Sequence, residues 1–187
     1  MTGVTAAESS PAQDWLLLVY RVPSEPSRLR ATVWRRIKSL GAIYLQSSAA
    51  ALPASMQAER ALRKLRSEIL DMSGSAVLLR CSVLAGEPEV RAAFQAARDD
   101  EYEEIVDKCH DFLAGLRKEY DEQHFSFAEL EENEVDLVKL RTWLERVRER
   151  DVFGADGLQA ALSSLAECEE QLEAYAARVY AEEAESR

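Results

Sequence analysis

The stretch that decides the fold is WLLLVYRVPSEPSRLR, residues 15–30. Its apolar run, WLLLVY, stops before Pro23, and the basic segment after it opens on Pro26 and Ser27. A short continuous apolar run is typical of a strand buried on both faces, whereas a membrane-spanning helix needs about 20 residues. The stretch therefore predicts a central strand that leads into a helix.

The rest of the first half continues this alternation of helices and strands. Residues 24–41 and 55–74 carry apolar side chains at helical spacing, and each segment stops at a glycine. AIYLQ (42–46) and AAALP (49–53) are either two short strands or one strand with a bulge, and SAVLLRCSVLAG (75–86) is a last strand. The order predicts a ferredoxin-like βαββαβ unit, with both helices on one face of an antiparallel sheet.

The second half predicts an antiparallel helical bundle of about three long helices. The first helix runs from Glu87 to about residue 122, with Arg98 and Glu101 interrupting its apolar stripe, where a kink or break is conceivable. The second opens on a capping box, SFAE (126–129), and ends near Gly154. The third carries leucine and valine at intervals of seven. The fold class predicted for the whole chain is α+β.

The charge of the chain is divided between its two halves. The net charge is −11, yet residues 1–85 hold 11 Lys and Arg against 6 Asp and Glu, whereas residues 86–187 hold 12 against 28. A basic half joined to an acidic half indicates two modules with different partners. We expect a disordered lead over residues 1–13, the ferredoxin-like domain over 14–86 and the acidic bundle over 87–187.

The two helices of the first half place basic residues opposite their apolar stripes. One interpretation is a surface for double-stranded DNA or another polyanion, and the other is an ordinary solvated helix face. The sequence shows no glycine-rich phosphate loop. It also shows no aromatic residues interleaved with the basic ones, a pattern that would favour binding of single-stranded nucleic acid. The predicted nucleic-acid-binding residues are Arg21, Arg28, Arg35, Arg36, Lys38, Arg60, Arg63 and Lys64.

The three cysteines predict no disulfide framework and no zinc site, because they are far apart and odd in number. Cys109 and Cys168 fall on apolar helical stripes and are expected in the core, while Cys81 lies on a strand and could face either way. A redox or oxyanion-sensing thiol is the alternative.

The acidic clusters of the bundle also predict no metal site. They lack the Glu-x-x-His pairs of known carboxylate metal sites, and the expected pairing of the two helices keeps the clusters far apart. In that pairing Glu101 opposes Arg146, so ion pairs and a helix cap explain the carboxylates. The clusters are Glu101, Glu103 and Glu104 on the first helix and Glu129, Glu131, Glu132 and Glu134 on the second.

Two separate segments resemble the N-terminal domain of the chromate-resistance regulator ChrB. They are WLLLVYRVPSEPSRLRATVWRRIKSLGAIYLQSSAAALP (15–53) and FSFAELEENEVDLVKLRTWLERVRERDVFG (125–154), and the resemblance extends over about residues 14–183. It implies a cytoplasmic bacterial protein linked to chromate resistance, acting as a DNA-binding transcriptional regulator. Full-length members of the family carry a further C-terminal domain.

A weaker resemblance, at the level of the fold, is to the Cas2-like domain that is also found in the repressor PaaX. The matching elements are Tyr20–Arg21, Arg35–Arg36 and Gln46–Ser47. This resemblance implies a dimer. Arg21 stands where the nuclease members hold a metal-binding acid, and because a guanidinium repels Mg²⁺, nuclease chemistry is not expected.

Three functions follow from these observations. The preferred one is a non-enzymatic, cytoplasmic regulatory protein of the chromate-resistance type that binds DNA, or acts within a DNA-binding regulator, as a homodimer and without a cofactor or a membrane. The second is a dimerising scaffold whose acidic bundle docks a protein partner. The third is a metal-dependent hydrolase or redox enzyme, for which no nucleophile–base pair or ligand cluster is recognisable in the sequence.

Overall fold

Seven residues of the opening stretch form strand β1, Trp15–Arg21, in a computed structural model that describes residues 13–185 of the chain. The contacts divide the chain into one unit up to Phe94 and a second unit from Gln95 onwards. The expected disordered lead lies outside the described residues, apart from Gln13.

The first unit has the predicted order of strands and helices. After β1 come α1 (Arg28–Ser39), β2 (Ile43–Gln46), β3 (Ala49–Pro53), α2 (Met56–Asp71) and β4 (Ser75–Cys81). The four strands form one antiparallel sheet in the order β2-β3-β1-β4. This is the ferredoxin-like arrangement, and β1 is a central strand as the apolar run predicts.

The segment between the two helices forms two strands, β2 and β3, which is the first of the two alternatives that the sequence left open. Their pairing shifts register between Tyr44 and Gln46. The small Ala50 of β3 pairs with Leu18 of β1 on one side and with Tyr44 on the other.

Both helices cover the sheet face that carries Leu16 and Leu18 of β1. These two side chains are buried, as are the apolar positions of the helices: Val33 and Ile37 of α1 and Leu62, Leu65 and Ile69 of α2. Arg66 of α2 also donates a hydrogen bond to the carbonyl oxygen of Ala76 in β4 at 3.1 Å. The amphipathic pattern of each helix therefore matches the face that it buries.

The opposite face of the sheet is only partly covered, so the expectation of a strand buried on both faces is wrong for β1. At one end Trp15 is buried and its ring meets that of Phe94 edge to face, with centroids 6.1 Å apart. Farther along, Val19, Val77 and Leu79 are 41%, 57% and 45% exposed. The apolar run marks β1 as a strand but does not reveal what covers each of its faces.

Three long helices follow, as predicted: α3 (Glu87–Asp121), α4 (Phe127–Arg150) and α5 (Leu158–Glu185). The first turns of α3, up to Phe94, belong to the first unit, and the rest of the three helices forms the second. The hydroxyl of Ser126 accepts a hydrogen bond from the backbone N–H of Glu129 at 3.3 Å, which confirms Ser126 as the N-cap of α4. Leucine and valine positions at heptad spacing are buried, including Leu137 and Leu144 of α4 and Leu165 and Leu172 of α5.

Helix α3 runs through Arg98 and Glu101 without the break that these polar residues suggested. Arg98 is buried and donates to Glu101 at 2.7 Å, and the second oxygen of Glu101 accepts from Arg150. The expected opposition of Glu101 to Arg146 is therefore wrong by one helical turn. The polar interruption of the stripe is a buried ion pair, not a helix end.

Among the described residues, no helix combines the length and the apolar character that crossing a membrane requires.

Candidate nucleic-acid interface

Seven of the eight predicted binding residues lie on the two helices of the first unit, and all of them are exposed. Because Arg36 of α1 reaches Glu68 of α2 at 3.7 Å, the two helices lie side by side and their cations share one surface. We call this set the basic surface: Arg28, Arg35, Arg36, Lys38, Arg60, Arg63 and Lys64.

In the part of the chain that the structure describes, most of the basic surface carries charge that no carboxylate neutralises. Arg36 and Arg63 do reach a carboxylate, on Glu68 and Glu59 respectively. Within residues 13–185, the other five cations have no carboxylate at ion-pair distance: Arg28, Arg35, Lys38, Arg60 and Lys64. On an ordinary solvated helix, charges of both signs support one another, so an excess of unpaired cations favours an anionic partner.

Glu59 of α2 is held between two arginines beside the basic surface. Arg63 Nη2 and Arg80 Nη2 lie 2.7 and 2.8 Å from its carboxylate oxygens. Hydrogen bonds from Arg63 and Arg80 lower the pKa of Glu59, so this carboxylate stays ionised and neutralises part of the positive charge there. Arg63 is thus the least available cation of the set.

The eighth predicted residue, Arg21, lies apart from the helical surface, at the end of β1. There it lines a cavity of about 410 Å³ with Arg30, Trp34, Tyr20, Tyr44 and the Ser47–Ser48 turn. We call this the Trp34 cavity. The Tyr20 and Tyr44 hydroxyls are 3.1 Å apart and hydrogen-bonded, and burial, followed by this bond, raises the pKa of Tyr44 well above its usual value.

The sequence alone did not reveal these aromatic residues as neighbours of the basic ones. Trp34 is 52% exposed, and it follows Arg30 and precedes Lys38 by four residues each, which puts the three on one side of α1. This four-residue spacing is the feature of the sequence from which an aromatic residue among the basic ones could have been predicted. Tyr20 and Tyr44 come together only through the pairing of β1 and β2 with β3, which no local pattern shows.

The second unit holds one further cluster, at the turn between α3 and α4. Glu119, His124 and Glu129 offer ligand atoms that lie within 4.8 Å of one another, and such a set of one imidazole and two carboxylates suits a divalent transition metal. His124 Nδ1 lies 2.8 Å from Glu119 Oε2, and Tyr175 donates to the backbone carbonyl of His124 at 2.8 Å. The hydrogen bond between His124 and Glu119 and the Ser126 cap explain this turn without an ion, so we assign no metal to it.

The two bundle cysteines occupy the core, which confirms the packing prediction. Cys109 and Cys168 are fully buried, and the Cys168 thiol donates to the Cys109 carbonyl oxygen at 3.5 Å. Hydrogen bonding to Cys109 and burial raise the pKa of Cys168, which keeps that thiol protonated and unreactive. Cys81, on β4, is partly exposed.

The first unit is thus a ferredoxin-like module whose basic surface is mostly without carboxylate partners among the described residues, and the second is an acidic three-helix bundle. The family model described as "Protein ChrB, N-terminal" matches residues 30–186. The chain belongs to this family.

A curated relative shows the same likeness. The protein named Protein ChrB from Cupriavidus metallidurans is 35% identical over 103 residues, which cover 54% of this chain and 31% of the relative. The aligned part thus spans about a third of the relative's length.

Proposed function

We propose that the chain acts as a non-enzymatic regulatory protein of the chromate-resistance type, in the cytoplasm, and binds duplex DNA through the basic surface. The observation that carries the proposal is the set of five cations on α1 and α2 without a carboxylate partner in the described chain. Cations of this kind bind phosphates along the duplex and release the counterions condensed there. Membership of the ChrB family supports a role in chromate resistance.

The manner of binding follows from the chemistry of the surface. Its side chains are arginine and lysine, which contact phosphates and position a protein on the duplex without reading its sequence. Helix α1 contains no acidic residue at all. We therefore expect binding to be dominated by charge and to weaken steeply as salt rises.

The test is a gel-shift titration of the full chain with duplex DNA from its own upstream region at low salt. Arg35→Glu combined with Lys64→Glu should weaken binding at least about tenfold, because two phosphate contacts become repulsive. The matched control, Lys118→Glu with Lys139→Glu, makes the same change in net charge on α3 and α4 and should leave binding within about twofold. If both double variants lost the same amount of DNA affinity, the loss would follow from net charge alone, which would count against the proposed surface.

A second candidate function, the dimerising scaffold, is favoured by the apolar sheet face that Val19, Val77 and Leu79 leave exposed. These three side chains are apolar, so they suit neither DNA nor a charged partner, and in a two-fold dimer a second copy would present the same apolar patch. We propose a homodimer on this basis.

Light scattering tests the homodimer directly. The full chain should have twice the mass of one chain, and Val77→Glu should return it to a monomer, because the substitution places a charge in the apolar face. A wild-type monomer would remove the support for this candidate. In the scaffold alternative the acidic bundle docks a basic protein partner, and the duplex titration would then be flat.

A further inference from the structure

We infer that the Trp34 cavity binds a nucleotide unit, meaning a planar aromatic base joined to a phosphate group. The inference is separate from duplex binding, since Arg21 is the one residue that the cavity shares with the predicted duplex-binding set. None of the four residues altered in the duplex test lines the cavity.

The size and lining of the cavity fit a small polar aromatic ligand. Its volume of about 410 Å³ is within the range of roughly 300–1,000 Å³ that small-molecule sites occupy. Aromatic and hydroxyl groups line it together, and in the described part of the chain no carboxylate does. An anion entering this space therefore meets no repelling charge.

Trp34 supplies a surface for the base. A tryptophan that is 52% exposed on a helix leaves a large apolar ring in water, and stacking a base on it removes that ring from solvent. Stacking on an aromatic side chain favours binding whatever the base, because every base has an aromatic face. The nearby Tyr20 and Tyr44 offer further ring surface, with their hydroxyls fixed against each other.

Arg21 and Arg30 supply the charge for the phosphate. Within residues 13–185, neither guanidinium has an ion-pair or hydrogen-bond partner, and the side chains of Ser47 and Ser48 likewise make no hydrogen bond. A guanidinium donates two parallel hydrogen bonds to phosphate oxygens, and serine hydroxyls add further donors. The combination distinguishes a nucleotide from its parts, because an inorganic anion would leave Trp34 unused and a neutral aromatic ring would leave both arginines unused.

The experiment follows tryptophan fluorescence and binding heat in the full chain carrying Trp143→Phe, so that the emission comes from Trp34 and the buried Trp15. Adenosine monophosphate should quench saturably. Adenosine, which lacks the phosphate, and inorganic phosphate, which lacks the ring, should each bind at least about fivefold more weakly. The nucleotide unit could belong to an unpaired strand or to a free nucleotide, and a short oligo-dA strand distinguishes the two. Tighter binding per nucleotide than the free monophosphate assigns the site to an unpaired strand, and weaker binding assigns it to a free nucleotide.

Matched variants on α1 complete the test. Trp34→Ala and Arg30→Ala should each weaken the monophosphate at least about fivefold, whereas Arg35→Ala, also an exposed arginine on α1, should leave it unchanged. The side chains of Trp34 and Arg30 are exposed, so circular dichroism should show both variants folded. The inference is overturned if the monophosphate binds no more tightly than phosphate or adenosine, or if Arg30→Ala and Arg35→Ala behave alike.

Discussion

At the scale of single residues, the buried Arg98 is the side chain whose partners matter most for the stability of the bundle. Its side chain is 2% exposed, and burial lowers its pKa while the nearby Glu101 carboxylate opposes that effect. Glu101 also accepts from Arg150, so a single carboxylate serves two guanidinium groups. A buried charge keeps its place only if its partner remains.

Glu101→Gln should therefore destabilise the bundle by about 3 kcal/mol, because it keeps the shape of the side chain but leaves two arginines without their shared anion. Urea unfolding followed by circular dichroism measures the loss. The control is Glu145→Gln on α4. Glu145 forms an exposed ion pair with Arg148, at 3.3 Å between Arg148 Nη1 and Glu145 Oε1, so this substitution should cost less than about 1 kcal/mol. Similar costs for the two substitutions would mean that the buried pair contributes no more than a surface pair.

The thiols give a second prediction at this scale. In the native protein a thiol reagent should modify Cys81 readily and Cys109 and Cys168 slowly, because the last two are fully buried and the pKa of Cys168 is raised. Denaturant should make all three react. Rapid native labelling of Cys168 would instead support the sensing thiol that the sequence left as an alternative.

Residue-scale predictions from the sequence succeeded where a side chain's own periodicity decided its surroundings. Cys109 and Cys168 follow their helical stripes into the core. The burial of Arg98 was not predicted, since it depends on Glu101 and on Arg150, which lies 49 positions beyond Glu101. Trp34 was missed for a related reason, because its neighbours Tyr20 and Tyr44 come from other elements.

At the scale of elements, local chemistry predicts helix ends well. Gly41 follows α1 with φ of +74°, as a terminating glycine should, and Ser126 caps α4. The end of α2 differs, because there Ser73 takes the left-handed conformation, with φ of +59°. Gly74 is required for a different reason, which is the lack of space for a side chain. A Cβ on Gly74 would lie 2.5 Å from the Arg21 carbonyl oxygen, a contact between distant segments that sequence patterns do not show.

Two glycines of the second unit should respond in opposite directions to alanine. Gly115 is exposed within α3 with nothing near its missing Cβ, so Gly115→Ala should stabilise the unit by about 0.5–1 kcal/mol through helix propensity. Gly157→Ala should destabilise it by about 2 kcal/mol, since its Cβ would lie 2.9 Å from that of Tyr102. Thermal unfolding monitored by circular dichroism measures both. Shifts of the same sign would contradict the packing described for Gly157.

At the scale of the whole molecule, the sequence predicts the division of charge between the two halves but not the interactions within each unit. The basic first half became the ferredoxin-like unit and the acidic second half became the bundle. Which cations remain unpaired depends on where Glu59 and Glu68 fall relative to the arginines in three dimensions. The partly uncovered face of the sheet likewise depends on packing between elements, not on the pattern of β1 alone.

The central claim, that the basic surface binds duplex DNA through phosphates, is tested most directly by the salt dependence of the dissociation constant. For the wild-type chain a plot of log binding constant against log salt should be linear with a slope of about −4.5, as five unpaired cations each release about 0.9 counterion. Arg35→Glu with Lys64→Glu should make the slope shallower by about 2. Absence of binding at about 50 mM salt, or equal slopes for the two proteins, would contradict the claim.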